Sequence, residues 1–179
     1  MIFFQIVIEI ILFFFVFFMT FQITTIIHEF GHAIPALILT RDRVKITLGR
    51  LDKNNKKFKQ ISLRRLDIEI KSFSPFIGFA HWKSSQLTKY QRIVILAGGP
   101  IFSLVLAIIM VFISIGSEGK FLMGIFNFKE ITILARNIAL VSFLFTSIPI
   151  IYPNWWGDYG DYPSDGHQIL KLIKDNEIN

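Results

Sequence analysis

The chain contains no cysteine. Disulfides and thiolate-bound metal are therefore excluded, and a metal site would have to be built from His, Asp and Glu. Charge is nearly missing from the start of the chain: between Met1 and Ile27 only Glu9 carries one. No basic residue precedes that apolar run, and the run is far too long for the h-region of a signal peptide. There is no arginine-rich helix and no interleaving of basic with stacking residues, so the net charge of +6 does not point to nucleic acid. Repeats, low-complexity linkers and composition shifts that would mark a second domain are also missing. Residues 1–179 read as a single domain.

What is present is oil. Hydrophobic residues make up 53% of the 179 positions, too many for an ordinary soluble domain. Three apolar stretches, about 6–39, 93–115 and 131–152, are long enough to span roughly 30 Å of hydrocarbon. Fourteen of the 19 Lys and Arg fall between Arg41 and Arg92, with four acids among them. A basic segment between apolar ones is what the positive-inside rule produces. It predicts residues 41–92 in the cytoplasm, Ser117–Glu130 outside, the N-terminus outside and the C-terminal segment 153–179 in the cytoplasm. The expected fold is a polytopic α-helical membrane protein with three core transmembrane helices and a small membrane-associated β region between the first two. The expected location is multi-pass in a bacterial plasma membrane.

Within the basic segment, VKITLG (44–49) and LDIEIKSF (66–73) alternate and are β-branched, as strands are. LDKNNKKFK (51–59) reads as a solvated turn, and PFIGFAHW (75–82) as a strand or loop dipping back towards the membrane. The aromatics at 152–162 fit an interfacial belt.

HEFGH (28–32) ends the first apolar stretch. Ionisable groups are expensive in lipid and are read there as functional by default. Residues i and i+4 share a helix face, so His28 and His32 can offer two imidazoles to one zinc. Glu29 stands beside them as a general base for a metal-activated water. A catalytic zinc takes a third protein ligand. Asp165, in PSDGH (163–167), lies just after the third stretch on the same side; a helix N-cap is its structural alternative. There Gly166 would allow a tight turn, and HQILKLI reads as a short amphipathic helix. His81 and His167 are the remaining histidines. Asp158 and Asp161 read as solvated turn residues. Glu130 falls on the outer side, and Glu9 lies about five turns from His28.

Three separated motifs resemble the site-2 protease family of intramembrane zinc metalloproteases: HEFGH followed by AIPALI, LTKYQRIVILAGGPIFSLVLAI (87–108), and SIPIIYPNWWGDYGDYPSDGHQIL (147–170). The resemblance covers nearly the whole chain in order, with SPFIGFAHW similar to the family's membrane-associated strands. It implies one Zn2+ per chain held by His28, His32 and Asp165, with Glu29 activating water. Thr146 stands where many members carry Asn, three residues before the proline taken here as Pro149. The spacing from Pro149 to Asp165 is longer than the common form, which leaves the place of Asn154 open. A PDZ domain has no room.

The expected function is an intramembrane zinc endopeptidase cutting a transmembrane protein or membrane-associated peptide near the cytoplasmic face. The alternatives are a non-catalytic relative that binds a membrane peptide or metal, and a protease of another family with Glu as third ligand. Bilayer lipid is an expected partner and nucleic acid is not. An unwound substrate could pair with the edge of the 75–82 strand, so Ile77, Gly78 and Phe79, with Thr146 and Asn154, are the candidate substrate-binding residues.

Overall fold

The computed structural model describes residues 2–50, 59–72, 74–83, 87–117, 119–121 and 126–175. Most of the turn expected at 51–59 lies outside the described residues. The chain opens with α1, Ile2–Leu39. Its 38 residues make a rod of about 57 Å at 1.5 Å per residue. The first turns project alone, with Phe3, Phe4 and Ile11 exposed. Cover by other parts of the chain begins near Val16 and Phe18, the latter packed on Phe76, and the covered part carries HEFGH.

Four strands follow: β1 (Val44–Leu48), β2 (Lys59–Leu63), β3 (Leu66–Ile70) and β4 (Gly78–His81). They form one sheet in the order β2-β3-β1-β4, with β1 parallel to β3 and antiparallel to β4. The alternation in VKITL sorts its two faces. Val44, Ile46 and Leu48 are buried against Ala33 and Ala36 of α1 and Ile95 beyond the sheet. Each such aliphatic contributes roughly 1.5–3 kcal/mol on burial. On the other face Lys45 pairs with Glu69 at 3.5 Å. Both segments expected as strands on alternation are strands, and β4 forms the edge nearest α1.

The helix α2, Lys89–Ile115, starts at a capping box in which Thr88 and Gln91 satisfy each other's backbone donors. It crosses α1 where two glycines meet. A Cβ on Gly31 would strike the carbonyl oxygen of Gly98, and one on Gly98 the carbonyl oxygen of Gly31. Small residues let helix backbones approach this closely. A short pairing of β5 (Lys120–Phe121) with β6 (Phe126–Asn127) leads into α3, Phe128–Ser147. A 3₁₀ turn, Gly157–Tyr159, and α4, Asp165–Lys174, complete the fold.

The expected set of three core transmembrane helices is not what forms. Among the described residues two helices, Phe3–Leu39 and Lys89–Ile115, are long and apolar enough to cross a membrane. The third apolar stretch, 131–152, is divided. α3 carries Lys129, Glu130 and Arg136 in its first half and stops at Ser147. Pro149 and Pro153 then forbid helix, and the chain runs extended, with Ile151 bridging to Pro163. The rest is a mixed four-stranded sheet and the short α4.

The crossing sets a stability test. Gly98→Ala should lower the melting temperature in detergent, because its clash is with backbone and overpacking costs about 1–3 kcal/mol. That exceeds the roughly 1 kcal/mol a helix gains from Gly→Ala. Gly116→Ala, which meets nothing within 4 Å, should leave the melting temperature unchanged.

Candidate metal centre

His28 and His32 sit one turn apart on the buried face of α1. Their Nε2 atoms are 3.3 Å apart. Asp165 Oδ2 lies 3.4 Å from each. Tetrahedral zinc with bonds of about 2.0–2.1 Å has ligand atoms roughly 3.3–3.4 Å from one another. The three side chains thus form a nearly equilateral triangle of the size such an ion needs, and among the described residues they are the group that could hold a metal.

The other ring nitrogens are also held. His32 Nδ1 lies 2.8 Å from the Ile95 carbonyl oxygen. A carbonyl only accepts, so Nδ1 carries a proton, and Nε2 is the nitrogen that faces Asp165 and that a metal would take. His28 Nδ1 lies 3.0 Å from Ser103 Oγ, which is 3.4 Å from Ser142 Oγ. Such partners fix the tautomer and orientation of a metal-binding imidazole. Gly99 makes room for the rings: a Cβ there would strike His32 Nε2 and come within 2.8 Å of His28 Cε1.

Asp165 is placed by its neighbour. Ser164 is the N-cap of α4; its hydroxyl accepts the His167 N–H at 3.1 Å and the Ile150 N–H at 3.2 Å, and donates to the Ile148 carbonyl at 2.6 Å. The capping role considered for Asp165 therefore falls to Ser164, and the Asp165 carboxylate turns towards the histidines. Gly166 does not make a turn. It lies inside α4, where a Cβ would strike the Ser147 carbonyl oxygen. Burial alone would raise the Asp165 carboxyl, but the charge of His32 and bonds to both imidazoles reverse this and hold it below the usual range.

Glu29 is buried beside the triangle, with Gly78 of β4 pressed against it. A Cβ at Gly78 would lie 2.7 Å from Glu29 Cγ. Glu29 also takes a hydrogen bond from the Ala80 backbone. All four residues open onto one cavity of about 1010 Å³, which Ile77, Gly78, Phe79 and Thr146 also line. Thr146 Oγ1 donates to the Ser142 carbonyl at 2.9 Å. Asn154 is exposed and does not line the cavity; its carbonyl backs onto Gly160. Glu130 is engaged in the capping box of α3. His81 lines the cavity from β4 but stands outside the triangle, and burial lowers its pKa. His167 lines a neighbouring cavity.

Sequence reasoning missed Ser103, Ser164 and Tyr159. The aromatics at 152–162 form a packed cluster: Tyr152 stacks on Trp156 at 5.3 Å, and Tyr159 meets Phe79 at 5.0 Å with the rings tilted. Burial, then the nearby Glu29 charge, push the Tyr159 phenol well above its ordinary pKa, so it remains a donor. No family model matches the chain, and no curated protein does.

The triangle predicts one zinc per purified chain by metal analysis. His28→Ala, His32→Ala and Asp165→Ala should each abolish binding, and His81→Ala should retain it. Ser103→Ala should weaken zinc affinity by about 10-fold or more, the usual effect of losing an outer partner.

Proposed function

We propose that the chain is a zinc endopeptidase of the site-2 protease kind, acting on a transmembrane protein or membrane-associated peptide. The observation that carries this reading is the 3.3–3.4 Å triangle of His28, His32 and Asp165 with a buried carboxylate, Glu29, next to it. Nothing in a purely structural core requires three ionisable groups to converge at the apolar end of a helix.

His28, His32 and Asp165 would hold the ion. When bound, zinc would acidify water and polarise a peptide carbonyl. Glu29 takes a proton from the attacking water and returns it to the leaving amide nitrogen, so that water and one peptide bond become a carboxylic acid and an amine. Its position against Gly78 keeps the carboxylate at the cavity wall.

A transmembrane helix keeps its amides bonded internally, so a substrate must unwind before it can be cut. The β4 edge suits an unwound segment. Gly49 N–H donates to the Ile77 carbonyl at 2.9 Å. This register pairs Ile77 and Phe79 with β1 and turns the N–H and C=O of Gly78 and Ala80 away from it, the Ala80 N–H towards Glu29. Strand addition there supplies main-chain hydrogen bonds without demanding a particular sequence.

Two helices long and apolar enough to span a membrane, with the basic 41–92 segment between them, support a multi-pass protein whose site lies at the cytoplasmic face. A reporter inserted between β1 and β2 should read cytoplasmic.

Glu29→Gln tests the chemistry. The variant should keep its zinc and lose cleavage of a membrane substrate by 100-fold or more, within the range for a lost general base. Undiminished cleavage by this variant would reject the role of Glu29.

A further inference from the structure

The segment 152–162 folds back on itself. Tyr152 N–H donates to the Tyr162 carbonyl at 2.9 Å, and Asp161 N–H to the Tyr152 carbonyl at 3.0 Å. Its ends are thereby closed, as in an Ω-loop packed by its own side chains. Gly157 and Asp161, at φ 62° and 63°, turn the chain within it. The loop lies over the outer edge of β4, where the Tyr162 ring also packs on Phe79 at 5.5 Å.

At that edge one hydroxyl does two things. The Gly78 N–H donates to Tyr159 Oη at 3.0 Å, and the Tyr159 O–H donates to the Gly78 carbonyl at 3.0 Å. These are the two bonds that a residue of an added antiparallel strand would make to Gly78. They fall at the residue packed against Glu29.

We propose that Tyr159 is a built-in competitor for substrate, a latch whose hydroxyl holds the place of an incoming main chain. This rests on the endopeptidase reading for its purpose, although the competition itself is for any extended peptide backbone. One donor and one acceptor are exchanged for another donor and acceptor, so opening is reversible. The exchange also selects for shape. A helical segment has its amides and carbonyls engaged and cannot replace both Tyr159 bonds at once. An unwound segment can. The latch therefore discriminates against intact helices at the point where the cut would fall.

Tyr159→Phe tests this, because it removes the hydroxyl and keeps the ring against Phe79. The probe is a fluorescent apolar peptide of about 25 residues, long enough to span, carrying a Gly-Pro pair near one end. Binding is measured in detergent with the full chain carrying Glu29→Gln, with and without Tyr159→Phe. The double variant should bind the probe about three- to tenfold tighter, the scale expected from one or two net hydrogen bonds. In the Glu29 background Tyr159→Phe should cut the probe faster at low concentration, with KM lowered and kcat little changed. Equal or weaker binding, or binding by neither protein, overturns the latch. A merely structural anchor would give weaker binding and a lower melting temperature. Zinc analysis on the same samples separates the two ideas. A chain without zinc, or a probe bound but never cut, rejects the protease reading and leaves the binding comparison to decide the latch.

Discussion

The close crossing of α1 and α2 is the constraint on which the site depends. Gly31 and Gly98 bring the two backbones together. Only at that separation can the Ile95 carbonyl and the Ser103 hydroxyl, both on α2, reach the Nδ1 atoms of imidazoles on α1. The adjacent Gly99 leaves the rings space to face inwards. The glycine pair in LAGGP thus has two separate tasks, one for the helices and one for the histidines. Ser164 then supplies the third corner by capping α4 so that the next residue points at the pair.

Burying polar groups in so apolar a chain costs several kcal/mol for each one left unsatisfied. Around the triangle the groups are matched. Both imidazoles are held at Nδ1 and meet Asp165 at Nε2. Ser164 uses its hydroxyl as donor and acceptor together. Gly78 has its outward N–H and C=O satisfied by a single tyrosine. A dense polar network in an apolar body specifies one arrangement, because a partial shift would strand several groups at once.

Much of this was legible in the sequence where the signal was local. HEFGH places two imidazoles on one face with a carboxylate beside them because i, i+4 spacing is a property of one helical turn. The alternation of VKITL and LDIEI gave β1 and β3 for the same reason. Asp165 was singled out as the acid just after the third apolar stretch; it does meet the histidines although that stretch is not one helix, and its neighbour Ser164 proved to be the cap. The third apolar stretch misled because hydrophobic composition does not register where a helix must stop. Pro149 and Pro153, with charges early in α3, leave a shorter helix and an extended run. Asn154 was misplaced because the loop's path is decided by aromatic stacking and by the close approach of Gly160. The bond from Tyr159 to Gly78 joins positions 81 residues apart, and no periodicity carries that.

The most direct measurement of the central claim is X-ray absorption at the zinc edge on the purified chain, with Asp165→Ala beside it. The account predicts a four-coordinate shell of nitrogen and oxygen at about 2.0–2.1 Å, with multiple-scattering features from two imidazoles. Those features should disappear together with the metal in the variant. A wild-type chain with no zinc, or zinc in a six-oxygen shell without imidazole scattering, would contradict it.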